Sequence, residues 1–338
     1  MKKIILLILF LFMVGCKKKT TSSNKSLYKR LGDNIYFGTY PTSLVTDKNI
    51  TNKLNKKINN KPTSNSLNGW NSYEYYASNE KKDYMFYKDI ELDSNKYRAI
   101  YLSNYRPRNI SYGFREEDSY QDDNGFELNT IYYFKYEEIK WDILEDNGSK
   151  LKIISSYILD SQEYNQTEID QKYIENSGLY VNNYELSFIR KWLNDSFYNL
   201  AFNSFEKEMV LKMEIDNSGK ISTTDINDAA SNNTFDYVSL LSYTESYEYY
   251  TYEEGHYYCK EDEKRSSGTD YAFSQGLYLS TLSYSNYRLR TPSPYQVNHS
   301  YYVDYDGAVH GDGNMFKCYV SDTSFGIRPV ITIKIDNK

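Results

Sequence analysis

NYELSFIRKWLNDSFYNLAFNSFEKEMVL (183–211) decides the fold class, because it is the one clear helical region in a chain otherwise punctuated like a sheet. Leu186, Ile189, Leu193 and Leu200 recur at spacings of three, four and seven, and Trp192 and Phe197 flank the same stripe. That is the apolar pattern of an amphipathic helix. Asn203 followed by Glu206 reads as a capping box that opens a second short helix.

On the N-terminal side, Ile35 to Tyr40 is strand-like and ends at Pro41. Thr46 to Ile58 carries Ile50, Leu54 and Ile58 at helical spacing. Tyr84 to Leu92 and Lys96 to Leu102 pair around Asp93-Ser94-Asn95, and Ile131 to Leu144 precedes a strand at Leu151 to Ile158 across the Asp146-Asn147-Gly148 turn. On the C-terminal side, Asp236 to Ser242 reads as a buried strand. Val303 to Val309 centres on the two-residue hairpin signal Asp306-Gly307, and Phe325 to Ile335 closes with β-branched residues. Strands surround a helical insert without βαβ alternation, so the expected class is α+β with a mostly antiparallel sheet and a single domain over residues 31–336.

Composition narrows the function classes. The chain has 338 residues, 40% hydrophobic and 25% charged, which suits one folded body rather than disorder or a multispan membrane protein. Its net charge of −6 argues against nucleic acid as a partner, since phosphate contacts need clustered Lys and Arg. Aromatics make up 17% and tyrosine supplies 39 positions; clusters such as Tyr73-Glu74-Tyr75-Tyr76, Tyr247-Glu248-Tyr249-Tyr250 and Tyr257-Tyr258 present apolar faces with polar tips. Such loops suit sugars or protein surfaces, although AT-rich codon usage explains much of the excess.

The first residues read as an export signal. Lys2 and Lys3 precede an apolar run from Ile4 to Val14, too short to span a bilayer and of the length of a signal-peptide core. Met13-Val14-Gly15-Cys16 resembles the lipobox of bacterial lipoproteins. The expectation is a signal peptide over 1–15, a diacylglyceryl anchor on Cys16 and a polar tether over 16–30, leaving the protein lipid-anchored to the membrane on the extracytoplasmic side.

Catalytic patterns are missing. The histidines are His256, His299 and His310, with no zinc-site spacing, and no nucleophile elbow, P-loop or dinucleotide fingerprint occurs. Ser22 to Lys25 and Ser204 to Lys207 match S-x-x-K only by composition. Cys259 and Cys318 are a candidate disulfide in an exported chain, with two free buried thiols as the alternative. Tyr287, Arg288 and Arg290 are candidate ligand-binding residues: the two arginines lie on one face of a strand, to hold an acidic ligand group or to form internal ion pairs. Asp304 and Asp306, with Asp312 and Asn314, are candidate calcium ligands, but no glutamate closes the loop and a hairpin turn fits better. No other cofactor or metal is expected. Trp141 and Trp192 read as core aromatics. Gly326 is expected at a close backbone approach, with Arg328 pairing to a carboxylate.

Seven stretches occur in order: FGTYP (37–41), EIKWDIL (138–144), YILDSQEYN (157–165), SFIRKWLNDSFYNLAFNSFEK (187–207), FDYVSLLS (235–242), YRLRTP (287–292) and GIRPVITI (326–333). Together they resemble the domain-of-unknown-function 6273 family of secreted and surface-anchored bacterial proteins. This chain departs at 286–291, where the Leu-Arg core stands and the family's tryptophans are replaced. The closing Gly-Ile-Arg-Pro is similar to C-type-lectin-like and formylglycine-generating-enzyme-like domains. The lipobox, the aromatic loops and the missing catalytic motifs together lead to the expectation of a non-catalytic surface binding domain for carbohydrate or protein, with a C-type-lectin-like fold as one option. The alternatives are an enzyme of the formylglycine-generating type, which uses a close cysteine pair, and an architectural cell-surface domain.

Overall fold

The computed structural model describes residues 27–335 apart from 59, 64–65, 74–75, 78–79, 82–84, 109, 112–113, 116–118, 166–179, 220–230, 251–260 and 312–317. The main sheet is antiparallel. Its main strands are β1 (Asn34–Leu44), β2 (Met85–Leu92), β3 (Asn95–Leu102), β4 (Ile131–Asp146), β5 (Lys150–Ser155), β7 (Val210–Leu211), β8 (Val238–Ser239) and β13 (Val330–Lys334), and the short strands Lys29–Leu31 and Asn71–Ser72 add to β1 and β2. A second sheet holds β6 (Asp160–Ser161), β9 (Tyr287–Pro292), β10 (Ser300–Val303), β11 (Val309–His310) and β12 (Gly326–Ile327), in the order β6-β12-β9-β10-β11.

The 16-residue β4 organises the main sheet. Along one edge it pairs with β1 from Phe134↔Leu44 to Asp142↔Asn34. The opposite edge is divided: β3 takes Ile131 to Lys135 and β5 takes Trp141 to Asp146. The β2–β3 hairpin turns on Asp93 and Ser94, both with positive φ, the geometry of a tight two-residue turn. The closing strand β13 is covered on both edges, by β5 on one and by β7 and β8 on the other. Val330, Ile331 and Ile333 are also buried, so side chains on both of its faces are enclosed. The expected α+β class with a mostly antiparallel sheet is present.

The helical insert differs from the simple stripe. Leu186 is 49% exposed, because Ser187 caps the helix after it, accepting from the Arg190 N–H. The buried residues are Ile189, Leu193, Phe197 and Ala201, evenly four apart. A spacing of four drifts around a regular α-helix. The chain, whose first helix is α1 (Lys48–Lys57), compensates here with a wider π-helical turn (Leu193–Phe197) between α2 (Phe188–Trp192) and α3 (Tyr198–Ala201), which keeps all four on the core side. The capping box at Asn203 and Glu206 forms as expected. Asp236 to Ser242 is not one strand but two short ones, Thr234–Asp236 and β8. The β10–β11 connection also corrects the two-residue reading. Asp304 N–H donates to Ala308 O at 2.9 Å, which leaves a three-residue loop with Gly307 at positive φ.

Trp141 centres the main core, fully buried, its indole N–H donating to Phe37 O at 2.8 Å and its ring stacked near Phe202. Gly38 lets these layers meet. Its φ is +71° and a Cβ there would lie 2.7 Å from the Phe202 ring and 2.9 Å from Ala201 O. Gly32 has φ +62° but nothing within 4 Å. Gly38→Ala should therefore lower stability by about 3 kcal/mol and Gly32→Ala by only about 1 kcal/mol, since the second carries backbone strain without a steric clash. Urea denaturation of the two variants measures the difference.

Candidate functional site

The segment 160–163, Asp-Ser-Gln-Glu, leaves the main sheet after β5 and is buried throughout, at 2%, 0%, 4% and 2% exposure. Its polar groups are satisfied from distant parts of the chain. Tyr40 OH donates to Asp160 Oδ2 at 2.5 Å, while Ser161 N–H and Gln162 Nε2 donate to Asp160 Oδ1 at 2.7 and 3.0 Å. Ser161 Oγ donates to Thr323 O, and Arg106, itself fully buried, forms an ion pair with Glu163.

Asp160 and Gln162 line one end of a cleft of about 410 Å³. The cleft lies between β1–β3 and the helical insert. Its aromatic wall is Phe188 and Trp192 from α2 with Tyr73 and Tyr87, all partly exposed. Trp141 occupies the expected core position, and Trp192, partly buried, packs against the same core at Phe197 while its other side lines the cleft. Arg98 stands at the wall with its guanidinium 4.3 Å from the centre of the Tyr87 ring. It donates to both Asp89 oxygens at 2.8 and 3.0 Å, and Tyr73 and Tyr271 hydroxyls meet at 2.7 Å beside it.

Electrostatics distinguish the two acids. Burial pushes the Asp160 carboxyl up to about 6, even though the donors around it and the nearby Arg106 favour its charged form. Burial would also raise Asp89, but the hydrogen bonds and charge of Arg98 hold it below its ordinary value. Burial, then the Asp160 charge, keep the Tyr40 hydroxyl protonated well above its ordinary range. The cleft therefore joins aromatic faces to one buried acceptor group that titrates within the accessible pH range.

The residues expected from sequence lie elsewhere. Tyr287 is buried in the second core and donates to Lys264 O at 2.9 Å. Arg288 is 1% exposed and enclosed by acceptors: Gln162 O, Ser300 Oγ, Cys318 Sγ, Tyr319 O and Asp322 O. Arg290 makes an ion pair with Glu245 and donates to Leu240 O at 2.7 Å. The two arginines therefore serve separate structural contacts and do not form a joint anion site. Asp304 uses Oδ1 for the N–H groups of Asp306 and Ala308 and Oδ2 for His310 at 2.7 Å, so it acts as the pin of its loop. Asp306 contributes its backbone carbonyl to Arg265. Among the described residues no group of acids, histidines and cysteines is arranged to hold a metal. Asp312 and Asn314 lie outside the described residues, as do Cys16 and Cys259. Cys318 is a free, buried thiol. Gly326 does sit at a close approach, where a Cβ would lie 2.3 Å from Ile158, and Arg328 reaches Asp142 at 3.6 Å.

The sequence reading misses the cleft because its members come from six separated stretches. The one available signal was the polar run 160–163 between apolar strands.

The raised pKa of Asp160 has a measurable consequence. Its ordinary value is 3.8 and its folded value about 6, so the folded state holds the proton more tightly. The associated stability is fully present below pH ~4 and is lost as pH rises through ~6, by an amount on the order of 3 kcal/mol. Asp160→Asn, of the same shape and uncharged, should remove this slope, as seen by subtracting the two unfolding free energies between pH 4 and 7.

Residues 148–335, from the end of β4 through the closing strand, match the family described as Domain of unknown function (DUF6273). This match takes in both sheets' family-like segments from 157 onward, while the similar stretches at 37–41 and 138–144 fall before it. No curated protein and no solved structure matches the chain. With more than half of its length matched, the chain belongs to the family Domain of unknown function (DUF6273).

Proposed function

We propose that the protein is a lipid-anchored, extracytoplasmic binding domain that holds a carbohydrate in the aromatic-walled cleft without catalysis. The observation that carries this reading is Trp192, a partly exposed indole in a cleft whose buried end holds Asp160 and Gln162. A pyranose ring has apolar C–H faces that stack on aromatic rings and hydroxyls that seek fixed acceptors. The three donors on Asp160 occupy three of its roughly four lone-pair sites, leaving capacity for one sugar hydroxyl. Arg98 and the tyrosine hydroxyls supply further polar contacts.

The alternative of thiol chemistry is disfavoured by Cys318. Burial pushes its thiol up to about 11, against the lowering charge of Arg288, and a reactive cysteine needs the opposite shift. Export and anchoring rest on the sequence of residues 1–16. No helix of the described residues is long and apolar enough to cross a membrane.

Two measurements test the reading. A glycan array probed with the Cys16→Ser chain should show saturable spots, and Trp192→Ala should weaken the best of them ~10-fold, the loss expected for one stacked ring. A blank array would reject carbohydrate as the ligand. Fractionation of cells expressing Cys16→Ser should move the protein from membrane to soluble fraction, and unchanged membrane association would reject the acyl anchor.

A further inference from the structure

A second cavity, of about 440 Å³, lies beside Arg290, away from the aromatic cleft. Three of the residues that line it each carry a buried polar atom with no hydrogen-bond partner: the Tyr184 hydroxyl, Asn217 Oδ1 and Ser231 Oγ. Tyr184 is 1% exposed and Asn217 5%, so neither is satisfied by bulk water. Buried polar groups in native structures are nearly always paired, and each orphan is unfavourable. Three on one wall point to a ligand that supplies the missing partners.

The chemistry of that ligand follows from what the wall lacks. Asn217 donates through Nδ2 to Asn232 O at 3.0 Å and to Thr234 Oγ1 at 3.1 Å. A carbonyl can only accept, so this bond fixes the amide's orientation and leaves its oxygen as an unused acceptor. The two hydroxyls can accept as well. The cation on this wall is already engaged: Arg290 is bound to Glu245 and to the carbonyls of Leu240 and Asp216. Burial acts to raise Glu245, but Arg290 and Lys152 bring it down to about 2, so the pair stays ionised. Asp216 adds a further carboxylate to the wall. The wall is rich in acceptors and acidic.

We propose that this cavity is a binding site for a small organic cation with a primary ammonium head. Its three N–H donors meet Asn217 Oδ1, the Tyr184 hydroxyl and Ser231 Oγ, and its charge is balanced by Asp216. An anion would face the acids, and a neutral polyol would fill the hydrogen bonds while leaving the charge unmatched.

Calorimetric titration of the purified Cys16→Ser chain with ethanolamine and with ethylene glycol, its neutral counterpart, tests this directly. Ethanolamine should bind saturably and ethylene glycol ~10-fold more weakly or not at all, one lost charge-assisted bond being a change of that order. Tyr184→Phe should weaken ethanolamine ~10-fold while leaving the melting temperature of the unliganded protein unchanged or higher, because it removes an unpaired hydroxyl. Asp216→Asn, at an exposed position, should weaken ethanolamine without affecting the glycan signal of the aromatic cleft, which separates this site from that one. Absence of saturable ethanolamine binding, equal binding of the two probes, or a lower unliganded melting temperature for Tyr184→Phe would each overturn the proposal.

Discussion

Burying the polar segment 160–163 is the constraint on which the rest of the architecture depends. Four consecutive polar residues enter the interior between the two sheets, and each unsatisfied group there would be unfavourable by about 1–3 kcal/mol. The chain meets that demand from far away in sequence. Tyr40 comes from β1, Arg106 from the stretch after β3, Thr323 from the approach to β12, and Arg288 from β9. Removing any one partner leaves a buried polar or charged group uncompensated. The segment therefore binds the N-terminal strands and the second sheet into one arrangement.

Arginine carries much of this role. Among the described residues, Arg98, Arg106, Arg288, Arg290 and Arg328 are buried. The planar, always-charged guanidinium offers five donors in a fixed fork, well suited to several carbonyls at the ends of different elements. Arg328 shows the pattern: it donates to Ser155 O at 2.9 Å and stacks 5.1 Å from the Tyr287 ring, joining the main sheet to the second. The aromatic cleft lies at the seam that these contacts create. Its walls come partly from residues within the matched family region and partly from β1–β3 before it, so the N-terminal strands help to shape whatever the family core presents.

The candidate site was far less legible in sequence than the fold. Arg288 and Arg290 carry a spacing that places them on one strand face, yet a spacing cannot reveal that carbonyls and Glu245 await them inside. Asp304 and Asp306 have the residue types of a cation loop, and the backbone of their own turn uses the Asp304 oxygens. Trp192 looked like its neighbours in an amphipathic stripe. The π-helical turn beginning one residue later sets which side chains face the core, and Trp192 ends in the cleft.

What the sequence determined by itself is the local structure: the hairpin at Asp93-Ser94, the capping box at Asn203 and Glu206, the β-branched closing strand and the α+β class. These depend on neighbours within a few residues, where turn chemistry, capping and side-chain periodicity act directly. Only the tertiary structure decided which polar residues are inside. Tyr40 and Asp160 on their strands meet Trp192 and Tyr271 on their helices only when sheet and helices pack together, and the burial that raises the Asp160 pKa exists only in that assembly. Desolvation is a property of the assembled surroundings, and a polar residue carries no local mark of whether it will be hydrated or enclosed.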